Sequence, residues 1–361
     1  MTKSLAESQT TSDQQSNPDP ARDSKVSAAR VSVVMPVYNY ADFIPRAVNS
    51  LLKQDFTDWE LIISDNASSD NTEAVARAFA DQDARIHYYR NQSNVGVCGN
   101  FNLCEARAHP DSNYLIGLPA DDWLHPQALA KLVTAADTHP DVVLTHCDGF
   151  RMDGDVNLGR YTKLFRYVPA PGKHHELAML YRNDYIPFQG GLVNRKLARK
   201  LYPTHELHPK HGLHDPELDY TSDYHLWLQL LSRGGLAYYI DEPLVYILKH
   251  ERANTMPANL IPRLHQEVRV FEKLADVCPD EFQAIRIKSL SDRLARLSFL
   301  YMQAGQLADA KIYLQQASKL SPTRRLDLTI ASAISALPLP PQLRTQLWQL
   351  AKYTRAALRR S

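Results

Sequence analysis

The stretch Tyr114-Leu115-Ile116-Gly117-Leu118-Pro119-Ala120-Asp121-Asp122-Trp123 decides the fold of this chain. Its first five residues form an apolar run typical of a buried parallel strand, and Pro119 ends the strand because proline has no N–H to donate to a ladder. Asp121 and Asp122 therefore follow the carboxyl end of a strand, where open α/β sheets bind ligands. Adjacent carboxylates raise each other's pKa unless a cation compensates them. They suit Mn²⁺ or Mg²⁺ holding a diphosphate; the alternative is a helix cap that faces water.

Upstream of this stretch the chain repeats the order strand, helix, strand, helix, strand. Strands are predicted at Val31–Val37, Trp59–Ser64 and Ile86–Tyr89. This order implies a parallel sheet with right-handed crossovers. Asp65 then lies at the same sheet edge as Asp121 and Asp122, which is the arrangement that a nucleotide-plus-metal site requires.

Local sequence also predicts where the intervening helices begin. An apolar stripe runs from Phe43 to Leu52 at helical spacing, with Asp42 as the expected cap. Asp70 and Glu73 resemble a capping box, which predicts a second helix from Asp70.

Composition limits the class of protein. With 361 residues the chain can hold two domains, or one domain and an appendage. The formal net charge of +1 gives no argument for nucleic acid. The four cysteines show no C-x-x-C spacing and fit reduced thiols in a cytosolic compartment. No apolar run approaches the roughly 20 residues that span a bilayer, and the start of the chain lacks the layout of a signal peptide.

The second half of the chain is harder to interpret. Gly190 and Gly191 indicate either backbone that passes close to a ligand on the acceptor side or a simple strand kink. Thr221-Ser222-Asp223 begins a clear helix, in which Asp223 is either a functional acid or part of a plain cap. A strand at Leu244–Leu248 is followed by Lys249 and His250.

Taken together, these pieces resemble a family 2 glycosyltransferase of the GT-A fold over roughly residues 30–255. The matching segments are 34–39, 63–70, 94–96 with Asn100, 120–124, 222–223 and 249–250. The resemblance implies an α/β, Rossmann-like, mostly parallel sheet flanked by helices. We therefore expect a polar tail at 1–28 without order, a GT-A domain at 29–256 with a nucleotide-binding half (29–147) and an acceptor half (148–256), and an all-helical extension at 257–361.

The resemblance also implies roles for individual residues. Those expected to contact the nucleotide sugar are Pro36, Val37, Tyr38, Asp65, Asn94, Gly96 and Asp121. Asp122 and His250 would hold the metal, and Asp223 matches the family's catalytic base. The chain departs from the family pattern at Pro119 and Asn66, where the family commonly has an acid, and at Lys249, where it usually has arginine.

The implied reaction moves a sugar from a nucleotide-diphosphate sugar, by default a UDP-sugar, to a hydroxyl of a glycan or lipid-linked saccharide in cell-envelope polysaccharide biosynthesis. Transfer with inversion needs a metal that stabilises the leaving diphosphate and one base for the acceptor hydroxyl. A glycoside hydrolase would need two carboxylates that flank the sugar. The competing hypothesis is a non-catalytic nucleotide- or glycan-binding protein that retains the fold.

Three further features of the sequence concern its histidine run and its helical extension. His205, His208, His211 and His214 suggest a metal ribbon, but prolines and glycine interrupt the segment, which favours an acceptor-side loop. Residues 295–322 resemble one tetratricopeptide-type helix pair. The basic helix at 343–361 either lies on a membrane surface or packs on the body. Accordingly, the expected location is cytoplasmic, either free or peripheral at the inner face of the membrane.

Overall fold

The computed structural model describes residues 29–165, 168–201, 213–253 and 257–320, together with Leu343 and Gln346. Strands in these residues are β1 (Val31–Val37), β2 (Trp59–Asp65), β3 (Ile86–Arg90), β4 (Tyr114–Gly117), β5 (Trp123–Leu124), β6 (Val142–Asp153), β7 (Val156–Arg160), β8 (Gly172–His174), β9 (Gly191–Asn194) and β10 (Leu236–Leu248). Helices are α1 (Ile44–Leu52), α2 (Thr72–Ala80), α3 (Gly96–Arg107), α4 (Ala128–Thr138), α5 (Leu177–Leu180), α6 (Arg195–Leu201), α7 (Ser222–Ser232), α8 (Leu260–Lys273), α9 (Asp280–Gln303) and α10 (Leu307–Leu320).

The described strands form one sheet in the order β3-β2-β1-β4-β9-β6-β10-β5, with β7 on β6 and β8 on β10. The predicted parallel pairing is confirmed from β3 to β4. Beyond β4 the sheet is mixed, because β9 runs antiparallel between β4 and β6. The sequence predicted at most a strand kink at Gly190 and Gly191, because β9 is short and begins with glycine. The predicted division at 147/148 falls inside β6.

Alternate residues of each strand face two separate cores, as the pleat of a strand requires. Leu61 and Ile63 pack with α1 and α4 on one face of the sheet. Ile62 packs on the other face, in a cluster that includes residues of α3 and α7. The sheet is thus covered by helices on both faces, as the fold class predicts.

The helix starts differ from the predicted caps. Phe43, not Asp42, occupies the cap position of α1, and its side chain makes no capping hydrogen bond. At α2, Asp70 Oδ1 does accept a bond from Thr72 N at 3.0 Å. Glu73, however, pairs with Arg77 at 2.9 Å instead of completing a capping box. That part of the prediction is wrong because the arginine one turn later competes for the carboxylate.

Beyond residue 256 the described residues are helical. The expected helix pair is confirmed as α9 and α10, although α9 begins at Asp280 rather than near Ala295. Phe271 of α8, Leu294 of α9 and Leu314 of α10 belong to the same buried cluster as Trp227 of α7. The extension therefore shares a core with the α/β part.

Three regions with sequence predictions lie outside the described residues: the tail 1–28, the histidines at 205, 208 and 211, and almost all of the basic segment 343–361. In the part of the chain that is described, none of the helices has the length and apolar character needed to cross a membrane.

Candidate active site

The loops after β1 and β2 are joined to each other at the carboxyl edge of the sheet. Asn39, with a positive φ of 57°, accepts a hydrogen bond on Oδ1 from Ser69 N at 2.8 Å. Its own N–H donates to Ser68 Oγ at 2.9 Å. Tyr38, just before it, is 45% exposed, whereas Val37 is buried. The side chain of Tyr38 is therefore accessible to a nucleotide base, while burial of Val37 and the hydrogen bonds of Asn39 hold the backbone on either side of it.

Asp65 lies at this edge, but its carboxylate is engaged within the chain. Oδ2 accepts hydrogen bonds from Tyr88 Oη and Arg90 Nη1, both at 2.7 Å, and Oδ1 accepts one from Ser68 N at 2.8 Å. The residue is 0% exposed. This arrangement makes Asp65 the anchor of the β2–α2 loop, and its predicted contact with base or ribose stays a prediction.

Asn66 explains one departure from the family pattern. Its Nδ2 donates to Asn94 Oδ1 at 2.9 Å and to Gly96 O at 3.1 Å. Its Oδ1 accepts from Val95 N at 2.9 Å. Only an amide both donates and accepts in this way, so an aspartate here would lose the donor bonds. Asn66 thus holds the turn that carries Asn94 and Gly96, whose φ of 79° suits glycine.

The acidic pair and His250 come together as predicted. Asp121 Oδ2 lies 2.7 Å from His250 Nε2. Asp122 Oδ1 accepts a hydrogen bond from Leu248 N at 2.8 Å, which joins the acidic loop to the end of β10. The His250 ring packs on Phe43, with 4.8 Å between centroids. Residues that follow the first strand, β1, and the last strand, β10, therefore meet in one cluster.

Charge in this cluster favours a cation. Burial, and secondly the neighbouring Asp121, raise the pKa of Asp122 well above its usual range, although the bond from Leu248 N lowers it. Burial and then Asp121 also raise the pKa of Tyr40. The donor set of two carboxylates and an imidazole fits a hard divalent ion in chemistry. However, no group of three or more such side chains is assembled for a metal within the described residues, so diphosphate oxygens would have to complete the coordination.

Lys249 pairs with an acid outside this cluster, whereas Arg252 contacts residues beside it. Lys249 Nζ pairs with Asp153 at 3.3 Å, and its side chain is 64% exposed. Arg252 Nη1 instead donates to Asn39 O at 2.9 Å, and its guanidinium lies 4.7 Å from the centre of the Phe43 ring. Arg252 gives no local signal in the sequence, because its partners are more than two hundred residues away in the chain.

Asp223 lies in the first turn of α7, as predicted. Thr221 occupies the cap position, but its side chain makes no capping bond. Asp223 Oδ1 accepts a hydrogen bond from Tyr224 N at 2.8 Å. Burial raises the pKa of Asp223, while that N–H, His214 and Arg263 lower it. A carboxylate with a raised pKa is a better general base.

A second carboxyl group beside Asp223 was missed by sequence reasoning. Burial, then Asp223, then Glu267 raise the pKa of Asp184 well above its usual range, and Arg263 and Arg293 lower it. Asp184 belongs to the irregular region before β9, where the sequence gave no pattern. Only the fold brings it near Asp223 and the helical extension.

The space beside the two glycines is filled by protein. A Cβ added at Gly191 would lie 2.9 Å from the Trp227 ring, and one at Gly190 would lie 3.0 Å from Pro187 Cγ and 3.2 Å from Cys147 O. The close backbone approach is therefore to the protein's own residues. A role for Gly190 and Gly191 toward an acceptor stays a prediction.

His214, the described member of the histidine run, is a core residue that is 2% exposed. Its Nε2 lies 3.3 Å from Glu105 Oε1, and its ring stacks on Phe101 at 4.9 Å. These contacts explain its presence without a metal.

Sequence comparisons identify the family. The model of "Glycosyl transferase family 2" matches residues 32–201. The chain is 32% identical over 226 residues to the putative glycosyltransferase EpsE of Bacillus subtilis, covering 60% of this chain and 72% of that protein. It is 25% identical to the putative colanic acid biosynthesis glycosyl transferase WcaA of Escherichia coli, covering 59% and 70% respectively. The chain belongs to glycosyl transferase family 2 and is a glycosyltransferase.

Solved structures show the same fold. TarS residues 1–349 of S. aureus in complex with UDP-GlcNAc is similar with a TM-score of 0.60 at 14% identity, covering 91% of this chain and 92% of that one. The mannosyltransferase PcManGT of Pyrobaculum calidifontis, in complex with GDP-Man and Mn²⁺, gives a TM-score of 0.55 at 19% identity, covering 90% and 85%. The predicted GT-A architecture with a helical C-terminal part is confirmed.

Proposed function

We propose that this glycosyltransferase moves a sugar from a UDP-sugar to a hydroxyl of a glycan or lipid-linked saccharide, with metal assistance and inversion. The observation that carries the proposal is that Asp121 and Asp122 lie in one cluster with His250, while a third acid, Asp223, begins a different element, α7. Asp121, Asp122 and His250 form a cluster in which burial and Asp121 disfavour the charged form of Asp122, so that a bound cation would stabilise it, and Asp223 is a partly buried carboxyl with a raised pKa in the first turn of α7. The complexes of similar folds with UDP-GlcNAc and with GDP-Man and Mn²⁺ support the donor class and the metal.

The roles of the residues follow from this geometry. Tyr38 and the loops held by Asn39 and Asn66 would bind the nucleoside. Asp121 and Asp122, with His250, would hold Mn²⁺ or Mg²⁺, which neutralises charge on the leaving diphosphate. Asp223 would accept the proton of the attacking hydroxyl as the new glycosidic bond forms and the bond to the diphosphate breaks.

The acceptor class is proposed from similarity and from chemistry. WcaA is described as a glycosyl transferase of colanic acid biosynthesis, which supports a polysaccharide or its lipid-linked precursor. The alternative remains a protein that binds a nucleotide or glycan without catalysis. It is favoured by Pro119, which stands where the family commonly has a further acid, and by the incomplete ligand set among the described residues.

The first test measures binding of nucleoside diphosphates by calorimetry, with and without Mn²⁺, to wild type and Asp122→Ala. We expect one nucleotide to bind only with Mn²⁺, and Asp122→Ala to weaken that binding at least 100-fold because the remaining carboxylate holds the ion poorly. Asp153→Ala is the matched control, since this acid is exposed and pairs with Lys249 rather than with the cluster. Equal binding without Mn²⁺ would contradict the metal site, and no binding at all would contradict the function.

A further inference from the structure

Arg252 links the acidic cluster to the loop that is proposed to bind the nucleoside. Its backbone N donates to His250 Nδ1 at 3.3 Å, and its guanidinium Nη1 donates to Asn39 O at 2.9 Å. His250 contacts Asp121. Asn39 directly follows Tyr38 in the loop after β1. The diphosphate of a bound donor has to run from the nucleoside to the metal, so Arg252 lies beside its expected path.

The side chain of Arg252 has unused hydrogen-bond donors. A guanidinium carries several N–H groups in a planar fork, and among the described residues only Nη1 of Arg252 forms a hydrogen bond. The carbon of the guanidinium lies 4.7 Å from the centre of the Phe43 ring and 5.3 Å from that of the Tyr40 ring. The residue is nevertheless exposed. Its remaining N–H groups are therefore accessible to a ligand, while the aromatic rings hold the guanidinium in position.

Two other cations near the acidic loop are compensated by acids within the chain. Lys249 Nζ lies 3.3 Å from Asp153 Oδ2. Arg46 Nη2, on α1, lies 3.2 Å from Asp155 Oδ1. In contrast, the ion pairs of the described ranges include no carboxylate partner for Arg252. The charge of Arg252 is therefore available to an anionic ligand.

The charge of Arg252 acts on the same space as the charges of the acidic pair. Burial raises the pKa of Tyr40, and Asp121 and Asp122 raise it further. The charge of Arg252 lowers the same pKa, so one ring lies within range of all these charges. A metal can compensate the two acids, but a diphosphate brings further negative charge. A cation that is already in place beside the diphosphate stabilises that charge.

We propose that Arg252, and not Lys249, is a donor-binding residue that contacts the diphosphate through its unused N–H groups. The inference rests on the proposed function and deepens its donor side, since it adds a residue of this chain to the binding of the leaving group. Arginine suits this role because its planar fork can hold a pair of phosphate oxygens at once. Lys249 stands where the family usually has arginine, but it pairs with Asp153 instead. Arg252 thus replaces that arginine from a position further along the same loop.

The experiment compares binding of UDP and of uridine to the full chain with Mn²⁺ present, by calorimetry and by ligand-observed NMR respectively. Arg252→Gln should weaken binding of UDP by about 10–100-fold, the usual effect of a lost charge-assisted hydrogen bond. Its binding of uridine should stay within about 2-fold of wild type, because uridine carries no phosphate and Asn39 keeps its bonds with Ser68 and Ser69. Arg252→Lys keeps the charge but not the fork, so its affinity for UDP should lie between those of wild type and Arg252→Gln.

Lys249→Gln is the matched control, since it removes an exposed cation from the same loop. It should bind UDP within about 2-fold of wild type. Salt gives a second readout, because screening weakens the attraction between a guanidinium and a diphosphate. The affinity of wild type for UDP should therefore fall more steeply with salt concentration than that of Arg252→Gln, whereas Lys249→Gln should follow wild type.

Equal losses of UDP and uridine binding in Arg252→Gln would overturn the proposal, because they would show that Arg252 only holds the loop of Tyr38 and Asn39. An unchanged affinity of Arg252→Gln for UDP would overturn it as well, as would a larger loss of UDP binding in Lys249→Gln. Failure of UDP to bind wild type even with Mn²⁺ would instead contradict the proposed function, so the two failures are distinguishable.

Discussion

Buried polar side chains differ in their pairing between a residue of the proposed donor half, Asn100, and two residues of the proposed acceptor half, Gln189 and Thr221. In the donor half, Asn100 is 2% exposed and donates from Nδ2 to Ser64 O at 2.9 Å, while its Oδ1 accepts from Ser64 Oγ at 2.6 Å and Asn91 Nδ2 at 2.9 Å. In the acceptor half, Gln189 and Thr221 are equally buried, but each has a polar atom without a partner. The buried amide of Asn100 is thus paired within the chain, whereas Gln189 Nε2 and Thr221 Oγ1 are not.

This difference accords with what the two halves are proposed to bind. Different glycosyltransferases use donors whose nucleoside diphosphate parts are chemically similar. Loops that are held by fixed hydrogen bonds can therefore bind this part of the donor. Acceptors differ in hydroxyl pattern, and recognition by otherwise unpaired groups rejects a molecule that fails to pair them. The following substitutions test this contrast.

The largest effect is expected for Asp223→Asn. Loss of the base should lower sugar transfer by about 10²–10⁴-fold, the usual contribution of general base catalysis. Binding of nucleoside diphosphate, measured by calorimetry, should stay within about 2-fold. Asp153→Asn serves as the control. Transfer that survives in Asp223→Asn would show that another group accepts the proton.

Phe271→Ala tests whether the extension and the sheet form one unit. Phe271 is 0% exposed in the core shared with Trp227, so its truncation should cost about 3–5 kcal/mol in the free energy of unfolding. Hydrogen exchange should show loss of protection in β1 and β2 together with α8. Ile312→Ala, at a residue 50% exposed on α10, should change little. Loss of protection confined to α8–α10 would contradict a continuous core.

Two buried threonines, one in each proposed half, allow the stability cost of removing a paired and an unpaired hydroxyl to be compared. Thr72 Oγ1, in the donor half, accepts a hydrogen bond from Tyr40 N at 3.0 Å. Thr72→Val leaves that N–H unpaired and should destabilise the protein by about 1–2 kcal/mol in urea denaturation. Thr221→Val removes an unpaired hydroxyl and should be neutral or stabilising. Equal costs would mean that Thr221 already has a partner.

The smallest effect is expected in the pH dependence of stability. The pKa values of Asp122 and Asp184 are raised in the folded state. Above about pH 4 the folded state therefore binds more protons than the unfolded state, and these groups make the free energy of unfolding fall as the pH rises. Asp122→Asn and Asp184→Asn should each be stabilised relative to wild type by an amount that grows from pH 5 to pH 8. A gap that shrinks with pH would contradict the raised pKa values.

The local signals in the sequence differ in strength along the chain. Strands β1, β2 and β3 and the cluster of Asp121, Asp122 and His250 were predicted, because β-branched runs and strand-end acids are local signals. Strand β9 and the full length of β10 were missed. The former is short, and the latter contains Glu242 and Pro243, which interrupt its apolar pattern.

The sequence by itself determined the parallel donor half, the acidic pair at the strand end and the acid that begins α7. Each of these features can be predicted from residues that are adjacent in the sequence, since strand periodicity and helix starts depend on local chemistry. Only the tertiary structure decided that Asn66 replaces an acid to hold a turn, that Lys249 points to Asp153, and that Asp184 lies beside Asp223. These outcomes depend on which distant groups share a buried space, and burial and charge there are set by the packing of the whole chain.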